Sequence, residues 1–131
     1  LEDWQTPFFA YIEAARAKPF AWGVNDCCLF TAGAVDALTG STYAAQVAAN
    51  YTDEASALAY LASFDSFEAA ISHWADAPSL APNFAGPGDI VLIDTRSGPT
   101  AGVCLGVHCA FVAPGGLAYL PRVCIARCWR I

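Results

Sequence analysis

The chain has 131 residues, 56% of them apolar, and twelve acidic against six basic residues give it a formal charge of −6. That length suits one domain, no stretch reaches the roughly 18–20 consecutive apolar residues that span a bilayer, and no Lys/Arg cluster offers the stripe that neutralises nucleic-acid phosphates. Neither membrane insertion nor nucleic-acid binding is therefore expected, and Glu2, Asp3, Glu13, Arg16 and Lys18, spread among the early aromatics, do not fit a secretory signal.

Thr6-Pro7 reads as an N-cap followed by proline at the first helical position. Phe8, Tyr11, Ile12 and Ala15 then recur at helical spacing, which predicts a first helix over 7–17. Pro19 ends it by disfavouring helical geometry at Lys18, and 20–25, containing Trp22-Gly23, is predicted as a loop. A second helix is predicted from Cys27 to Leu38. Asn25 or Asp26 caps it, Cys27, Phe30, Thr31, Ala34 and Leu38 fall at spacings of three and four, and Gly40 lies just past its end.

A short helix is predicted over 43–49, and another begins at Thr52 with Ala55, Leu58 and Leu61 facing inward. Asp65 and Glu68 then form a capping-box pattern ahead of Phe67, Ala70, Ile71 and Trp74. His73 lies one position off that stripe, which points to a structural place beside Trp74. Pro78, Pro82, Gly86 and Pro87 cannot hold a regular ladder, so 77–87 bridges two halves of the chain. Strands are predicted over 89–94, 101–105, 109–113, 117–120 and 123–129, with turns at Ser97-Gly98-Pro99 and Pro114-Gly115-Gly116. The expected class is α+β: a single domain over 1–131, with N-terminal helices followed by a small antiparallel sheet.

The six cysteines are too sparse for a chain held together mainly by disulfides, and a mostly reduced state is expected. Cys104, Cys109, Cys124 and Cys128 sit in strand-like sequence, where free cysteine behaves as a small buried hydrophobe. The competing reading joins these four with His108 around zinc, although paired CxxC knuckles are absent. No metal or other cofactor is expected. Cys27 is the sharpest chemical feature. It follows Asp26 in the first turn of a helix, where unpaired N–H groups and the helix dipole favour a thiolate and can stabilise an oxyanion. Cys28 has nearly the same electrostatic claim.

The segments 19–23, Asp26-Cys27 with the helix to Gly40, and Gly86-Pro87-Gly88-Asp89-Ile90-Val91 together resemble the NlpC/P60 superfamily, most closely its small branch encoded in prophages and tail-gene clusters. The resemblance implies a papain-like fold in which the cysteine after Asp opens a helix packed on an antiparallel sheet. Active members cut peptide bonds in bacterial peptidoglycan, and Cys27 takes their nucleophile position. Their catalytic histidine opens the strand after Gly-Asp, where this chain has Thr100, and their third polar residue falls at Ala113. A threonine hydroxyl is no general base near neutral pH. His108 is the substitute base if the register shifts, although Gly106-Val107-His108 reads as a turn leading away from Cys27. Trp22, Gly23 and Asp26 are the substrate-side candidates, the ring by packing and the glycine by allowing positive φ or a close contact. Asp89 is expected to cap a turn, and Tyr43, Tyr51 and Tyr119 are groove candidates with no assigned contact.

The preferred expectation is a structural or assembly protein of a phage or phage-like particle with an incomplete peptidase set. Such a protein would be made in the bacterial cytoplasm, carried in the tail or tail tip, and partnered by other tail proteins. The alternatives are an active peptidoglycan peptidase using Cys27 and a non-standard base, and a non-catalytic module that holds wall peptide through Trp22.

Overall fold

The computed structural model describes residues 3–96 and 98–131, so Glu2 and the predicted turn residue Ser97 lie outside the described residues. Five helices come first: α1 (Gln5–Ala15), α2 (Cys27–Thr39), α3 (Tyr43–Ala48), α4 (Glu54–Ala62) and α5 (Phe67–Ala75). After a short 3-10 turn at Pro82–Phe84 come β1 (Ile90–Thr95), β2 (Gly98–Cys104), β3 (His108–Ala113), β4 (Gly116–Pro121), a second 3-10 turn at Arg122–Cys124, and β5 (Ile125–Trp129). The strands form one antiparallel sheet in the order β4-β3-β2-β1-β5. A meander of four strands thus runs outward from β1, and the last strand returns to its free edge.

The helix ends follow local chemistry, with some corrections. α1 starts two residues early, at Gln5 with Trp4 in the cap position, and the Thr6 hydroxyl donates to Asp3 (3.3 Å) instead of capping. Pro7 still costs no helical bond, because the first-turn N–H groups have no intrahelical partner. α2 is capped by Asp26, whose carboxylate accepts from the Leu29 N–H, and it ends at Gly40 in the left-handed region (φ 74°). Asp53, not Thr52, caps α4 and shares a reciprocal box with Ser56. That phase buries Ala57 and leaves Ala55 exposed and Leu58 53% exposed, against the inward face expected for them, while Leu61 is half-buried and faces the space between the helices. Ser66 caps α5 because it immediately precedes the first helical residue; Asp65 stands one place too early, and Glu68 accepts from the Ser79 hydroxyl (2.8 Å).

The hairpin after β1 is tighter than expected. Gly98 and Pro99 are already paired with Thr95 and Asp94, so they belong to β2 and not to the turn. Pro99 is tolerated because it lies beyond the stretch where β2 also pairs with β3. Val123 and Cys124 fall in the 3-10 turn, with β5 beginning only at Ile125.

β1 lies inside the sheet, and its Ile90, Val91, Leu92 and Ile93 are all buried, as an element covered on both faces requires. On one face α1 and α2 bring Phe8, Ile12, Phe30 and Ala34 against Val103, Ala110 and Val112. Beside them Val35 and Ile71 meet Ile90, Leu92, Ala101 and Trp129. Trp129 is fully buried and donates its indole N–H to the Ser72 hydroxyl (2.9 Å), tying β5 to α5. The opposite face holds Val91, Ile93, Cys104, Cys109, Ile125 and Cys128 under Ala85. The bridging segment covers this face by pairing Leu80 with Cys128 through two backbone hydrogen bonds (2.8 and 3.1 Å). Cys104, Cys109 and Cys128 therefore do serve as small buried hydrophobes, with Cys124 packed beside them.

Candidate functional site

The loop before α2 is closed on itself by Ala21 and Asn25, which exchange backbone hydrogen bonds (3.0 and 2.7 Å). The Asn25 amide donates to the carbonyls of Lys18 and Pro19 (3.2 and 2.9 Å), so Asn25 staples the loop and leaves the cap to Asp26. Asp26 is 1% exposed, and its carboxylate joins three segments. Oδ1 accepts from the Leu29 N–H (2.9 Å) and the Tyr51 hydroxyl (2.9 Å), while Oδ2 accepts from the Gly23 N–H (3.1 Å). Gly23 has φ +76°, and a Cβ there would run into the carbonyl of Thr52. Both reasons foreseen for glycine thus hold at this position. Trp22 is half-buried and stands edge-on to Phe20, ring centroids 5.0 Å apart.

This loop delivers Cys27 as the first residue of α2, packed against the Ile90, Leu92, Ala101 and Trp129 cluster of the sheet. Its Sγ lies 4.0 Å from that of Cys28. The Cys27 thiol is pulled down to about 7, chiefly because the Cys28 thiol donates to it; burial opposes the shift, the Ala101 N–H and Thr100 hydroxyl assist it, and the Asp26 charge opposes it. Cys28 moves the other way: its proton is held in that shared bond, and burial and the neighbouring Cys27 and Asp26 charges penalise a second anion. Of two residues with nearly equal claims in the sequence, Cys27 is the one favoured to ionise and Cys28 the one favoured to keep its proton. Tyr51 completes the cluster, its hydroxyl kept protonated chiefly by burial, with the Asp26 charge and the hydrogen bond it donates to Asp26 acting in the same direction.

The Thr100 hydroxyl reaches Cys27 from β2. The Ala113 carbonyl accepts from the Phe20 N–H of the loop (3.2 Å), and the Ala113 side chain is a methyl group without a polar atom. His108 does not join them. It opens β3, exposed, and its carbonyl accepts from the Leu105 N–H (2.8 Å). Leu105 lies five residues past Thr100, about 17 Å at roughly 3.4 Å per strand residue. That span removes His108 as a base for Cys27, because proton transfer needs hydrogen-bond reach or one bridging water. His73 is exposed on α5 between the rings of Phe64 and Trp74, the structural place expected of it.

Asp89 is a cap as expected, its carboxylate accepting from the Gly86 N–H (2.9 Å) and the Ile131 N–H (3.3 Å). Among the described residues no three His, Cys, Asp or Glu side chains converge to hold a metal, so the four later cysteines and His108 supply no zinc donor set. The contacts of Tyr51 and Ala101 leave no mark in the sequence pattern. A tyrosine 25 positions from its carboxylate partner carries no local periodic signal, and a backbone N–H carries no residue signature.

Residues 1–131 match the model of the family described as a domain of unknown function (DUF6950), and the chain belongs to that family. No curated protein and no solved structure matches the chain.

Proposed function

We propose that this protein is a tail-associated structural or assembly component of a phage or phage-like particle, built on an NlpC/P60-like fold whose catalytic set is incomplete. The tail placement rests on the resemblance carried by 19–27 and 86–91. The loss of catalysis rests on one observation: the group facing Cys27 from β2 is the Thr100 hydroxyl, with His108 at the other end of the neighbouring strand. A thiolate formed near neutral pH attacks without a base, but amide cleavage also needs an acid to protonate the departing amine. Asp26 cannot take that part, being fully engaged with Gly23, Leu29 and Tyr51.

The partners on this reading are other tail proteins, met through surface contacts that need no thiolate, so Cys27→Ala is expected to enter particles as the native chain does. Mass spectrometry of purified intact particles tests this, and absence of the chain from them overturns the reading. The lowered Cys27 thiol favours a second reading, a surviving thiol hydrolase. Release of peptide from purified peptidoglycan by the native chain, lost in Cys27→Ala, would establish it in place of the first.

A further inference from the structure

Cys27 and Cys28 stand side by side in the first turn of α2, both half-buried, with their sulfurs 4.0 Å apart. They do not readily consume one another as a disulfide. Consecutive Cα atoms stand about 3.8 Å apart across a trans peptide, short of the roughly 4.4–6.8 Å that a disulfide usually spans, and the helix holds both residues in its own geometry. The pair therefore persists as two soft sulfur donors.

Their spacing suits a shared metal ion. At a metal–sulfur distance of about 2.3 Å, the value for zinc, two sulfurs on one ion stand at most about 4.6 Å apart. The observed 4.0 Å falls inside that span, so the backbone already brings both sulfurs within reach of one ion.

The surroundings of the pair decide which ion. Among the described residues no third His, Cys, Asp or Glu converges on it to complete a metal site. The adjacent Asp26 has its oxygens engaged by Gly23, Leu29 and Tyr51, and the Thr100 hydroxyl that reaches Cys27 is a hard oxygen donor. Zinc in a structural site takes four ligands, and hard cations take carboxylates, carbonyls and water. Copper(I), a closed-shell monovalent ion, selects soft thiolates and is satisfied by two of them. Charge agrees with this choice. Two thiolates and one monovalent cation leave a single negative charge, which lies at the positive end of α2 beside the Ala101 N–H.

We propose that Cys27 and Cys28 together bind one soft monovalent cation of the copper(I) class, held between their sulfurs at the start of α2. Both sulfurs bind as thiolates, and the thiol protons they still carry pass to solvent. The site is independent of the tail reading, and while occupied it withholds Cys27 from any reaction as a nucleophile.

Copper(I), presented under argon as its complex with the chromogenic chelator bathocuproine disulfonate, tests the proposal. The full chain is expected to withdraw one equivalent, read as loss of the chelator's visible absorbance. Cys27→Ser and Cys28→Ser are each expected to weaken binding by roughly 10²–10⁴-fold, the gain from joining two donors in one site. Cys124→Ser, in the cluster on the opposite face of the sheet, is expected to change nothing. Peptide mapping after iodoacetamide gives a reading on the native chain that does not depend on how the variants fold. One equivalent of copper(I) should shield both Cys27 and Cys28, and one equivalent of zinc should shield neither. Full labelling of the pair in the presence of copper(I), or either serine variant binding as tightly as the native chain, overturns the site. Equal shielding by zinc overturns the assignment to a soft monovalent ion.

Discussion

Replacing Asp26 by asparagine tests whether one buried carboxylate holds the site together. The carboxylate offers two oxygens to three donors, Oδ1 to Leu29 and Tyr51 and Oδ2 to Gly23. An amide offers one oxygen. If that oxygen takes the Oδ1 place, the NH2 group faces the Gly23 N–H, donor against donor, and one hydrogen bond to a charged acceptor worth about 1.5–3 kcal/mol disappears. The two that remain fall from charge-assisted to neutral strength, roughly half. Against this, asparagine avoids part of the cost of burying a charge at a position only 1% exposed. The expected net loss is about 2–4 kcal/mol. Urea unfolding would show it as a lower midpoint at unchanged slope. Tyr51→Phe, which removes a single bond to the same oxygen, should cost less, and the double variant should cost less than the sum of the two. An Asp26→Asn variant within about 0.5 kcal/mol of the native chain would refute the role given to this carboxylate.

Three further outcomes follow from the same structure. Alkylation of Cys27 is expected to rise with pH to a midpoint near 7 and level off about one unit above, where an ordinary thiol is still gaining thiolate; peptide mapping of the labelled chain reads it, and His108→Ala should leave the curve unmoved. A midpoint at the ordinary thiol value, or a curve displaced by His108→Ala, would contradict the site. Gly23→Ala is expected to cost at least about 2 kcal/mol in chemical denaturation, since it adds left-handed backbone strain to a contact with the Thr52 carbonyl, and a neutral result would mean the loop relaxes freely. Trp129→Ala should cost about 3–5 kcal/mol, as expected for a fully buried ring, whereas Ser72→Ala should cost about 1 kcal/mol for the single bond to its indole; equal losses would place the effect in the bond and not in the packing.

The sequence alone determined those features whose cause lies within a few residues. Gly40 ended α2 where a left-handed residue was needed, Asp26 was one of two caps named for it, and Gly23 was singled out for a conformation that other residues resist. The change from helical to strand period placed the sheet after Gly88, because period reports which face of an element is buried. Where a boundary depended on packing, local pattern failed. Ala57 displaced Leu58 from the inward face of α4, and Gly98-Pro99 entered β2 through pairing with β1. The division of labour between Cys27 and Cys28 was also out of reach of the sequence. Two adjacent thiols at one helix start share the same dipole, and the approach of the Thr100 hydroxyl and the Ala101 N–H from a distant strand to Cys27 adds to the bond between the two thiols in favouring Cys27 as the one that ionises. The same holds for Thr31. Its spacing marked it as a helix residue facing inward, but whether a buried hydroxyl finds a partner among the described residues depends on the segments packed around it, and those come from distant parts of the chain.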